Sequence, residues 1–278
     1  MANHHDDEEH DRGLMHDLAT LTRRSRRRDF LKWVGGAALV PFVGACISDD
    51  ESSLVDGGTD VDAGSDSTDD SCSVIPEETA GPYPGDGSNG ANVLALSGIV
   101  RSDITTSFAG ATGAAAGIPL TIQLALVNTK SSCSPLAGYA VYLWHCDRAG
   151  LYSMYSQGVT DQNYLRGVQL TDAEGVVTFT SIFPACYSGR WPHIHFEIFP
   201  SLPTSSSGKI KTSQLALPKA ACDAVFATSG YSASVSNLAQ VSLASDNVFS
   251  DGSATQLATM LGNVTDGYTA LLTVGVSV

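Results

Sequence analysis

The sequence predicts an all-β protein, a β-sandwich core with Gly/Ser-rich loops and a few short helices, preceded by a disordered leader and linker. Three observations carry that expectation. β-Branched and small polar residues dominate the chain after residue 72, a composition of strands rather than helices. Short apolar runs recur between Gly and Ser clusters, at the spacing of sandwich or barrel strands. The run from Tyr187 to Phe199, Y-S-G-R-W-P-H-I-H-F-E-I-F, alternates apolar and polar residues in its second half.

Taken in order, residues 1–47 read as an export leader. His4, His5, His10 and His16 lie in a solvated, charged tail. Arg27-Arg28-Asp29-Phe30-Leu31-Lys32 fits the twin-arginine pattern R-R-x-F-L-K. The apolar run from Trp33 to Ile47 is too short to span a membrane and suits the apolar region of a signal peptide. It ends Val43-Gly44-Ala45-Cys46, which resembles a lipoprotein processing site. Cys46 is thus a candidate lipid anchor, with ordinary cleavage nearby as the alternative. The expected location is periplasmic, extracellular or anchored at the outer face of the membrane.

Residues 48–72, rich in Asp, Ser, Gly and Thr, read as a disordered, self-repelling linker. The chain carries 15 Lys+Arg against 29 Asp+Glu, a formal charge of −14. Segments 1–12 and 49–70 hold 14 of those 29 acids, so the body is closer to neutral. No basic face for nucleic acid is visible.

Residues 73–278 form one domain, long enough for one sizeable core. Expected strands are Val93–Val100, Pro119–Val127, Gly138–Cys146, Val176–Thr180, His193–Phe199 and Ala270–Val278. Gly138–Cys146 sets Tyr139, Val141, Leu143 and His145 against Ala140, Tyr142, Trp144 and Cys146. Helices are expected around Lys219–Ala227 and Ala254–Leu261. Six cysteines (46, 72, 133, 146, 186 and 222) match no zinc or C-x-x-C spacing. In an oxidising compartment disulfides persist. Cys146 and Cys186 either brace the region between them or stay as buried thiols.

Chemistry concentrates in the His-x-His pair. On a strand, His193 and His195 face one side, about 7 Å apart along the chain, close enough to converge on one metal ion. Glu197 continues that face, and Ile194, Phe196 and Ile198 fill the other. Alone, the pair is more often a surface or cross-strand feature. Its company is Tyr187, six residues upstream of His193, and Tyr152 in the loop after Cys146. Phenolate oxygens with imidazoles suit ferric iron better than zinc or copper. A trivalent ion also drives phenol deprotonation, despite a reference pKa of about 10. His145 reads as structural, and Asp147 and Asp172 as turn residues that accept from backbone N–H groups.

Several motifs in order resemble the intradiol ring-cleavage dioxygenases, the group of catechol and protocatechuate 3,4-dioxygenases. They are Glu78-Thr79-Ala80-Gly81-Pro82-Tyr83-Pro84, Leu136 through Asp147, Gly150-Leu151-Tyr152-Ser153 and Leu165-Arg166-Gly167. Thr171-Asp172-x-x-Gly175, Ile182 through Tyr187 and Gly189 through Phe196 complete the set. They span about residues 76–200. The resemblance implies Fe(III) held by Tyr152, Tyr187, His193 and His195, with Arg190 facing the substrate. Gln214 looks like a glutamine of the catechol-type members. Gly81, Pro82 and Tyr83 look like a segment bordering the substrate, and read equally as a Gly-Pro turn.

The implied reaction opens a catechol-type diol between its hydroxyl carbons with O2, a step of aromatic catabolism, giving a cis,cis-muconate-type diacid. Tyr187 would accept a proton as internal base, and Arg190 would stabilise charge on the ring. The loop between Tyr187 and Arg190 is several residues shorter than in the well-known aromatic-degrading members. Substrate choice therefore does not transfer. A homodimer is compatible with the sequence. The competing readings are an exported, non-enzymatic β-sandwich metal- or ligand-binding module, and a structural surface domain without metal.

Overall fold

The computed structural model describes residues 73–278. The expected leader, with its candidate anchor Cys46, and the expected linker lie outside the described residues.

Two sheets form the body. In the first, β1 (Pro119–Asn128) is central. It pairs antiparallel with β5 (Val176–Ile182) and with the two-residue β2 (Ser134–Pro135), and parallel with β9 (Gly267–Val276). β8 (Thr259–Asn263) forms the far edge against β9. The second sheet runs β4 (Arg166–Leu170), β3 (Ala140–Trp144), β6 (His193–Phe199), β7 (Lys211–Ala216), every pair antiparallel.

The period-2 alternation predicts how these strands partition. Leu120, Ile122, Leu124 and Leu126 of β1 meet Val141 and Leu143 of β3 and Ile194, Phe196 and Ile198 of β6 in the main core. Ala140, Tyr142, Trp144 and Cys146 point the other way into a second apolar cluster, with Tyr152, Val93, Leu94 and Ile99. The outer face of the second sheet is therefore roofed, by the arm at residues 76–100 and by the loop after β3. β3 and β6 are buried on both faces.

Two short helices, α1 (Lys219–Phe226) and α2 (Ser232–Leu238), follow β7. α1 seals one end of the core with Ala221, Cys222, Val225 and Phe226.

Two expectations need correction. Val93–Val100 is a chain of turns rather than a strand. Its apolar residues Val93, Leu94 and Ile99 are buried, so burial as roofing mimics the composition of a strand. Ala254–Leu261 is no helix; it turns and then enters β8, whose partner β9 satisfies its backbone. Of the two readings left open for Cys146 and Cys186, the structure shows buried thiols: both are free, as is Cys222, and Cys133 is disulfide-bonded. Several elements that the pattern did not announce are β4, β7, β8 and α2.

Candidate active site

β6 lies between β3 and β7, so its His face is read against two neighbours. His193 stands opposite Ala216, and His195 opposite both Trp144 and Gln214. The His195 ring stacks on Trp144, centroids 4.9 Å apart at 4°. His193 Nδ1 donates to the carbonyl of Trp191, which leaves Nε2 with its lone pair. His195 Nδ1 has no hydrogen-bond partner among the described residues. Both rings are 2% exposed. Burial, reinforced by the Arg190 charge, holds both imidazoles well below their usual pKa. They are neutral, the state in which imidazole binds a metal.

Two loops bring the phenols to the same point. After β3, Asp147 Oδ1 accepts from the N–H groups of Ala149 and Leu151 and shapes the turn. Ser156 Oγ then accepts from Tyr152 N. A Cβ on Gly150 would lie 3.3 Å from Tyr187 Cβ, so the two loops touch there. Around His193 Nε2 sit His195 Nε2 at 3.1 Å, Tyr187 Oη at 3.2 Å and Tyr152 Oη at 3.5 Å. Four donors each about 2.0–2.1 Å from one centre would be separated by about 3.3 Å. These side chains therefore fit a single metal ion. Among the described residues no group of three or more His, Cys, Asp or Glu side chains could hold a metal, so the tyrosines are essential to this one. Without a cation, burial and the neighbouring Tyr187 push the Tyr152 phenol well above its usual pKa.

Arg190 is 2% exposed and doubly anchored. Its Nε donates to Asp246 Oδ2 at 3.0 Å and its Nη2 to Gln214 Oε1 at 2.6 Å. Burial alone would lower its pKa; the charges of Tyr187 and Asp246 outweigh that and raise it. Gln214 Nε2 donates in turn to Thr79 O at 2.9 Å, so both ends of its amide are engaged. The arm then passes over the histidines. Gly81 has φ +69, and a Cβ there would lie 3.4 Å from His195 Cε1. Tyr83 packs on Tyr152 and Tyr155, with centroids 5.0 and 5.3 Å away. The structure thus brings together Tyr152, Tyr187, Arg190, His193, His195 and Gln214, with Gly81 and Tyr83 directly above.

Sequence reasoning missed three groups here. Trp144, placed by alternation on one face of its strand, carries the His195 ring. Arg166 sat in a motif without a role; its guanidinium donates to Ser153, Pro84, Tyr83 and Tyr142 and ties arm to loop. Asp246 lies in a Ser-rich stretch with no pattern to mark it. His145, by contrast, is filled as expected: Nδ1 donates to Cys146 O and Nε2 accepts from Ser181 Oγ.

Comparison with known proteins agrees with this geometry. A family model described as dioxygenase matches residues 98–196, which include Tyr152, Tyr187, Arg190, His193 and His195. An intradiol ring-cleavage dioxygenase from Tetranychus urticae aligns with a TM-score of 0.59 and 25% identity, over 74% of this chain and 95% of that one. A second crystal structure, of a dioxygenase, gives the same figures. The dioxygenase domain of a carbohydrate-binding fusion protein from Streptomyces sp. SirexAA-E aligns with a TM-score of 0.47 and 21% identity, over 74% and 99%. No curated protein matches the sequence. The motifs in order, the dioxygenase family model over the site and the structural likeness agree: this chain resembles the intradiol ring-cleavage dioxygenases in fold and in the residues of this site.

Proposed function

We propose that the enzyme opens a catechol-type diol between its two hydroxyl carbons, using O2 and Fe(III), to a cis,cis-muconate-type dicarboxylic acid. One observation carries this reading: the phenol oxygens of Tyr152 and Tyr187 and the His195 Nε2 all lie 3.1–3.5 Å from His193 Nε2. Tyr152, Tyr187, His193 and His195 would hold the ion. When bound, Fe(III) would supply Lewis acidity to the diol and redox chemistry toward O2.

The chain supplies the rest. Tyr187 is half-buried whereas Tyr152 is 2% exposed. Tyr187 is accordingly the phenol that an incoming diol reaches, and its Oη is placed to take the diol proton. The Arg190 guanidinium, fixed by Asp246 and Gln214, stabilises negative charge on the ring without having to reorganise. Gly81, Pro82 and Tyr83 border the substrate and limit water at the site. Gln214 acts through the groups it holds, Arg190 and Thr79. We further place the enzyme outside the cytoplasm. The R-R-x-F-L-K pattern at residues 27–32 supports this, and mass spectrometry of the mature N-terminus tests both export and acylation of Cys46.

The test of function is direct. Purified protein loaded with Fe(III) should hold about one iron per chain and show a visible phenolate-to-metal band. It should convert at least one of catechol, hydroxyquinol and protocatechuate to the intradiol product, identified by mass. A colourless iron-loaded protein without turnover would instead point to a non-enzymatic binding module.

A further inference from the structure

Asp246 lies outside the stretch matched by the family model and outside every recognised motif, yet it is the anion of the site. It is fully buried. Its two oxygens split their work. Oδ2 accepts from Arg190 Nε at 3.0 Å and from Trp191 N at 2.7 Å. Oδ1 accepts from Val248 N at 2.8 Å and Phe249 N at 3.2 Å. One carboxylate therefore clamps the Arg190-Trp191 turn, just before His193, to the 3-10 turn at Phe249–Asp251.

A buried ion pair is weak evidence for stability, because desolvating both ions offsets most of their attraction. Its value lies in direction. A guanidinium is a rigid planar fork. With Nε on Asp246 and Nη2 on Gln214 Oε1, two of its donors are fixed and the plane has one orientation. Arg190 N also donates to Tyr187 O at 3.3 Å, which keeps the arginine in one turn with that tyrosine. The same carboxylate offsets a positive charge that would otherwise sit uncompensated beside a metal-binding centre.

We propose that Asp246 is a positioning residue for the reaction: it aims the Arg190 guanidinium at the substrate side of the Tyr187–His193 cluster and balances its charge. The inference rests on the ring-cleavage reading above. It assigns a role to the chain after β7, whose sequence shows no motif. The bland alternative is that Asp246 only caps the turn through Val248 and Phe249.

The experiment separates these. In metal-free protein, the Arg190 Nε–H resonance is identified by its loss in Arg190→Lys. It should be sharp and slow to exchange in the parent and should shift and broaden in Asp246→Asn. In iron-loaded protein, Asp246→Asn should retain iron and lower kcat about 10- to 100-fold with KM within a few-fold. In an Arg190→Ala background the same change should add little, about twofold or less, because Asp246 acts through Arg190. An unchanged Nε–H signal, an unchanged kcat, or an equal loss in the Arg190→Ala background overturns the proposal. If Asp246→Asn does not fold, Asp246→Glu is read instead. It keeps the charge but displaces it by one methylene, so kcat should still fall about tenfold or more; parental kcat there also overturns the proposal. Parent protein that turns over no catechol defeats the ring-cleavage reading, while the metal-free resonance still reports on Asp246.

Discussion

Ile194, Phe196 and Ile198 on one face of β6 join the main core of the sandwich. His193, His195 and Glu197, interleaved with them, lie under the arm and loops on the other face and are just as buried. Both faces exclude water. On one, burial removes apolar surface and stabilises the fold. On the other, burial holds imidazoles neutral, raises a phenol pKa and leaves His195 Nδ1 without a partner among the described residues. Depth alone therefore does not distinguish core from site. What distinguishes them is whether the buried groups are satisfied by one another.

The comparison can be broken by substitution on either face. The largest effect is expected for His193→Ala. Iron binding and turnover should be lost, since one of four donors is removed, while the metal-free protein still unfolds cooperatively. Retained iron, by metal analysis, would break the assignment. Across the strand, Phe196→Ala should cost about 3–5 kcal/mol in urea unfolding yet leave iron stoichiometry intact in the folded fraction. Next, Arg190→Ala should keep iron and lower kcat about 10²–10³-fold; full activity would remove the arginine from the chemistry.

His145 sharpens the contrast as a buried histidine with both nitrogens bonded. Burial lowers its pKa from 6.5 to about 4. The unfolded chain therefore binds a proton that the folded chain refuses, and this contribution to stability is present above about pH 6.5. It is lost as the pH falls from there toward 4, by about 3 kcal/mol in all. Urea titrations of parent and His145→Gln should differ in slope over that window. Smallest is Gly81→Ala, which places a side chain at positive φ and 3.4 Å from His195. It should cost about 1 kcal/mol and act more on KM than on iron content.

Much of the site was legible because it lies on local patterns. His193 and His195 share a face by strand periodicity alone, and β6 has the expected bounds. Tyr152, Tyr187 and Arg190 stood in motifs whose order survives in one dimension. Less local features were not legible. Val93–Val100 looked like a strand because a roofing loop and a strand bury the same residue types. Ala254–Leu261 looked helical because its pairing with β9 is invisible in sequence. Trp144 was seen as one face of a strand, while its stacking on His195 depends on the β3–β6 register.

By itself the sequence determined the fold class, the division of each central strand into two faces, and the residue types gathered for chemistry. These follow from periodicity and local turn propensity, which are properties of neighbours along the chain. Only the tertiary structure decided that Tyr152, Tyr187 and His195, spread over 43 positions, bring their donor atoms within 3.5 Å of His193 Nε2. It alone decided that Asp246 is the counter-ion of Arg190, 56 positions away. The physical reason is the same for both: a buried charge or lone pair must be matched wherever the fold places it, and no local pattern records who the match will be.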